Sequence, residues 1–123
     1  MRILSFVFLF IFAVNISAQS TKIGDPFTKG NQQINSREFN EALTTYKTAL
    51  VTAEKKYSGK EYLARLHYNI GVCYFHLDRF DAAANEFKSA VLLKTDYSQA
   101  YFALDKARAR ARNNITTVLS QER

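Results

Sequence analysis

The chain has 123 residues, 47% of them hydrophobic, with 17 Lys and Arg against 11 Asp and Glu, a formal charge of +6. That length holds one small domain, and the single cysteine excludes an internal disulfide, so packing must hold the fold. The positive charge favours acidic partners or anionic surfaces, but the basic residues are spread along the chain and do not argue for nucleic acid.

The N-terminus comes first. Met1-Arg2 makes a short positive start, Ile3 to Val14 is almost purely apolar, and Asn15-Ile16-Ser17-Ala18 is polar and small. This is the layout of a secretory signal peptide cleaved after Ala18. The apolar run is short for a bilayer-spanning helix, which needs roughly 20 residues; an uncleaved anchor is the alternative. Cleavage removes Arg2 and leaves a chain from Gln19 with a charge of +5. The expected location is the periplasm or the extracellular space, with a bacterial envelope favoured by the Ser-Ala-Gln region. A polar linker, 19–26, holds Gly24 and the only proline, Pro26.

Five helices are expected after the linker, within a domain spanning 27–113, followed by a tail, 114–123. The first covers roughly 27–36. The second covers 39–56, with Phe39, Ala42, Leu43, Tyr46, Ala49, Leu50 and Ala53 on one stripe at steps of three and four. Gly59 is its expected C-terminal cap. The third covers 60–77, with Leu63, Leu66, Ile70, Cys73, Tyr74 and Leu77 inward. Asp78-Arg79 makes a tight turn. The fourth covers 80–94, with Phe80, Ala83, Ala84, Phe87, Ala90 and Val91 inward. Thr95-Asp96 makes another turn. The fifth covers 97–113, with Ala100, Tyr101, Leu104, Ala107 and Ala111 inward. No stretch alternates as a strand does, so the fold class is all-α.

Two of these stretches repeat one pattern. From Gly30, aromatics follow at Phe39 and Tyr46 and alanines at Ala42 and Ala49; from Gly71, the same offsets give Phe80, Phe87, Ala83 and Ala90. An internal repeat on this scale points to stacked helical hairpins, each burying its apolar face against the next. Small residues beside large ones are what close helix pairing needs.

At these residues the chain resembles the tetratricopeptide repeat (TPR). The second hairpin, 64–97, carries Asn69-Ile70-Gly71, Tyr74, Phe80, Ala83, Phe87 and Ala90 at motif positions; the first carries Gly30, Phe39, Ala42, Tyr46 and Ala49. The resemblance covers 27–112 and implies a short α-solenoid of antiparallel hairpins, with the fifth helix as a solvating cap. Two departures stand out. The glycines are 41 residues apart, against the usual period of roughly 34. Two hairpins also fall short of the roughly three repeats usually needed for independent stability.

The resemblance implies protein binding without catalysis, on a surface drawn mainly from the first helix of each hairpin. That gives Asn31, Ile34 and Asn35, then Arg65, Tyr68, Asn69, Val72, Phe75 and His76, then Gln99, Phe102 and Lys106 from the cap. Such a groove suits a peptide or helix of a partner protein. The competing reading makes Tyr68, Val72, Phe75 and Phe102 plain core. A self-associating structural subunit of an envelope complex is the alternative function. One TPR subclass grips a C-terminal carboxylate with two asparagines and cations. Asn31 and Asn69 match the asparagines, but Phe27, Gln99 and Ala103 hold the basic positions, so that activity is not assigned.

Other constellations carry less. Cys73, His76 and His67 do not complete the four ligands of a structural zinc site. No nucleophile elbow, P-loop or dinucleotide fingerprint occurs, so no cofactor and no enzyme activity are expected. Arg108, Arg110 and Arg112 read as a helix end whose charge suits the macrodipole, with a polyanion or membrane patch as the sharper alternative. Asn114-Ile115-Thr116 fits a glycosylation sequon only in a eukaryotic source.

Overall fold

The computed structural model describes residues 25–123, so the expected signal segment and linker residues 19–24 lie outside the described residues. Asp25 and Pro26 open the first helix together. Proline suits the first helical turn, where its missing N–H costs nothing, and the Asp25 carboxylate accepts from the Phe27 N–H at 3.4 Å. The helices are α1 (Pro26–Asn35), α2 (Phe39–Lys55), α3 (Lys60–His76), α4 (Phe80–Leu93) and α5 (Ser98–Gln121). No strand occurs among the described residues. Each helix packs mainly on its neighbours in sequence, with α3 against α4 the most extensive pairing. The fold is therefore an all-α array of helical hairpins.

The glycine–aromatic spacing has a physical cause. The hydrogen of Gly71 faces the Phe87 ring so closely that a Cβ there would lie 2.6 Å from Cε1. Gly30 stands in the same relation to the Tyr46 ring. Both rings are buried, and only a residue without a side chain lets the helices approach so far. The expected core is otherwise largely present: Ala42, Ala53, Leu66, Ile70, Cys73, Ala83, Ala90, Ala100, Leu104 and Ala107 are all buried. Tyr101 is a correction, being 44% exposed on α5 rather than inward. Phe27 and Ala64 are core residues that the stripes did not name.

Three turns are built alike, and one of them overturns an expectation. After α1, α2 and α3 the N–H of Glu38, Ser58 and Arg79 reaches back to the carbonyls of Gln33, Ala53 and Tyr74 at 2.8, 3.0 and 2.9 Å. This closure requires a left-handed residue just past the helix end. Arg37 (φ 62°), Tyr57 (φ 53°) and Asp78 (φ 57°) supply it, although glycine would do so at less steric cost. Gly59 is therefore not the cap of α2. Its φ of −61° and ψ of 150° are extended, and it stands at the start of α3.

α5 is the second correction, because it continues to Gln121 instead of ending at Asn113. Within this extension the hydroxyls of Thr116 and Thr117 donate to the carbonyls of Arg112 and Asn113, at 3.1 and 3.0 Å. Arg108, Arg110 and Arg112 thus lie in mid-helix, and the last turn holds no basic residue. The macrodipole reading of this arginine run falls with the boundary.

Candidate partner-binding cleft

α3 and α5 flank α4 and leave an open cleft of about 280 Å³ between them. Seven of the twelve expected groove residues line it: Tyr68, Val72, Phe75 and His76 from α3, and Gln99, Phe102 and Lys106 from α5. Phe87 and Ala103 complete the wall. Phe87 is buried, as its place on the inward stripe of α4 predicts, and lies beneath the cleft as its floor. A residue that contacts a glycine on one side and Tyr68 on the other does both.

The floor is held by aromatic packing. Tyr68 lies between Phe87, with ring centres 5.6 Å apart, and Tyr97, at 5.2 Å. Phe75 meets Phe80 edge-on at 5.0 Å. His76 stacks on Phe39 at 4.5 Å with the rings 2° from parallel. The two phenylalanines of the repeat, Phe39 and Phe80, therefore brace adjacent residues at the end of α3. The plain-core reading fits Tyr68, Val72 and Phe75 in part, since they are half-buried. It fails for Phe102, which is 73% exposed.

The rim is cationic. Lys106 Nζ lies 5.3 Å from the centre of the Phe75 ring, and the Arg110 guanidinium lies 5.7 Å from Phe75 and 4.7 Å from Phe80. No carboxylate is among the residues lining the cleft. Arg110 was not among the expected groove residues. Its signal was the alternation with Arg108 and Arg112, which sends it to a different side of the helix.

The other five expected residues do not line the cleft. Asn31 accepts a hydrogen bond from the Tyr46 hydroxyl at 2.7 Å, which supplies that buried phenol with its partner. Ile34 packs against the core, and Asn35 is exposed on α1. The Arg65 guanidinium sits 4.1 Å over the Phe27 ring. Asn69 is half-buried.

Nearby polar groups serve the scaffold. His67 Nδ1 and Glu86 Oε2 are 2.7 Å apart and tie α3 to α4. Lys94 donates to Glu61 Oε1 at 3.2 Å and ties the end of α4 to the start of α3. Its ammonium pKa is raised, first by that hydrogen bond. Cys73 is fully buried, and burial pushes its thiol up to about 12. Such a thiol is neither a nucleophile nor a ready metal ligand near neutral pH. Among the described residues no group of three His, Cys, Asp or Glu side chains is placed to hold a metal ion. No helix among them is long and apolar enough to cross a membrane.

A second hollow, of about 520 Å³, lies between α1, α2 and the start of α3. Thr44, Thr45, Thr48, Thr52 and Ser58 line it with Lys29 and Lys56. Its hydroxyls are largely engaged: Thr45 donates to Gln33 Oε1 at 2.7 Å, and Thr44 and Thr52 bond back to their own helix at 3.0 Å. In comparisons with family models, curated proteins and solved structures, nothing matches this chain.

Proposed function

We propose that this chain is an exported, TPR-like protein-interaction module that takes a peptide or a helix of a partner protein in the α3–α5 cleft and performs no catalysis. The observation that carries this reading is the convergence of seven side chains, spread over about two helical turns of α3 and two of α5, on one open cleft. An apolar floor gives such a cleft affinity, and the polar groups Gln99, His76 and Lys106 at its edge give it register. The TPR-like reading is supported by the two copies of the glycine–aromatic contact. Export is supported by the three-part order of the N-terminal residues.

The test is selection of a displayed random-peptide library on the protein purified after expression of the full sequence. Enriched peptides are expected to lose at least tenfold in affinity against Phe102→Ala and Lys106→Ala, with helicity by circular dichroism unchanged, since both side chains are exposed. No enrichment, or equal binding to these variants, would overturn the cleft as a binding site.

A further inference from the structure

α5 outruns the array. Its inner side, Ala100, Leu104 and Ala107, is buried, but every residue from Arg112 onward is exposed. Three of those residues are large and aliphatic: Ile115, Val118 and Leu119 are 57%, 55% and 58% exposed. With Asn114 they line a shallow hollow, and Asn114 and Ile115 also border a second one beside Asp78–Ala82. Scattered exposed hydrophobes need no explanation, but an aliphatic cluster on one side of a protruding helix does.

The order of residues along that tip points to its occupant. Arg112, Ile115, Leu119 and Glu122 follow one another at steps of three, four and three. Those steps put all four on one face. The sequence is also symmetric about position 117, with the charge reversed from one end to the other. A second α5 laid antiparallel therefore meets the first in a fixed register. Ile115 faces the second copy's Leu119, Arg112 faces the second copy's Glu122, and the two-fold axis repeats both pairs. A two-fold contact uses the same patch on both molecules, so it demands this kind of self-complementary order.

We propose that the α5 tip is a self-association surface, occupied by the tip of a second copy of this chain in antiparallel register. The facing stretch, from Arg112 to Glu122, is ~15 Å of helix. A contact of that size is small, so the dimer is weak and concentration-dependent. The aliphatic residues of the surface, Ile115 and Leu119, lie beyond both Lys106, the last residue lining the cleft, and Arg110 on its rim, and neither lines the cleft, so the inference does not rest on the cleft reading.

Sedimentation equilibrium on the purified full-length protein tests it. A monomer–dimer equilibrium is expected. Ile115→Lys with Leu119→Lys should make the protein monomeric at every concentration. Arg112→Glu alone, or Glu122→Arg alone, should weaken the dimer by about five- to tenfold, since each change places like charges together twice. The two changes combined should restore it. All these positions are exposed, and unchanged circular dichroism confirms the fold of each variant. A monomer at all concentrations overturns the proposal. So does a dimer insensitive to the lysine pair, or one that the double charge exchange fails to restore. Binding of the monomer to anionic phospholipid vesicles through Leu119 would assign the surface to a membrane instead.

Discussion

The two hairpins share a spacing but not a purpose. In each, a glycine on the first helix admits an aromatic ring sixteen residues further on: Tyr46 over Gly30, and Phe87 over Gly71. Tyr46 carries a hydroxyl, and Asn31 is spent on satisfying it. Phe87 carries none, so the residues around it are free of that duty, and Tyr68 packs on its ring instead. The first hairpin is also short at its first helix, ten residues in α1 against seventeen in α3. The longer α3 reaches α5 and makes a cleft with it. Equal spacing thus produces equal packing, while the partners of the two rings differ, Asn31 for Tyr46 and Tyr68 for Phe87.

The largest test of this comparison removes the glycines. Gly71→Leu would force a branched side chain into the Phe87 ring, and Gly30→Leu would do the same at Tyr46. Overpacking of this kind costs about 3 kcal/mol or more, which in a domain of this size lowers the melting temperature by more than about 10 °C. Ala83→Phe, at a fully buried position, should behave likewise. Gly59→Leu is the control, because nothing lies within 4 Å of a Cβ there. An equal loss at Gly59 would break the argument that close approach, and not glycine itself, matters.

Alkaline titration probes both hairpins at once. Burial pushes Tyr46 up from 10.0 and Cys73 up from 9.0, each to about 12. Both are neutral acids whose protons the folded state holds more tightly than the unfolded chain does. Their stabilisation is therefore complete below about pH 9 and is lost as pH rises towards about 12. Melting temperature should be flat near neutrality and fall steeply across that window.

The smallest effect sharpens the comparison most. Tyr46→Phe makes the first hairpin resemble the second, removing the hydroxyl that Asn31 accepts. A cost of about 1 kcal/mol is expected. The alkaline fall should also become shallower, leaving the shares of Cys73 and of Tyr97, whose phenol burial also pushes up. An unchanged alkaline profile in Tyr46→Phe would show that the buried phenol does not report on the fold.

Helix existence was legible because each helix repeats apolar residues at steps of three and four, and all five begin within one residue of the expected positions. The end of α5 was not. Asn113-Asn114 and the β-branched run from Ile115 to Val118 are weak helix formers, and the helix nonetheless continues through them to Gln121. Gly59 misled for a different reason. A cap is chosen by the path that the chain must take to the next helix, and that path placed the left-handed turn at Tyr57, two residues earlier.

Of the twelve expected groove residues, seven meet at one place and five do not: three of the five lie on α1, and two, Arg65 and Asn69, lie on α3 beside residues that do. A stripe on one helix is a local property, set by 3.6 residues per turn, so the α3 face from Tyr68 to His76 could be seen in advance. Whether that face lies opposite Gln99, Phe102 and Lys106 depends on how α4 spaces α3 from α5. The sequence alone determined the five helices, the repeated glycine–aromatic spacing and the buried thiol, because each follows from local periodicity or spacing. Only the tertiary structure decided which side chains converge, that Arg65 lies on Phe27 and Arg110 on Phe80, and that α5 runs past its neighbours. Those outcomes depend on packing between residues far apart in the chain, and no local pattern encodes it.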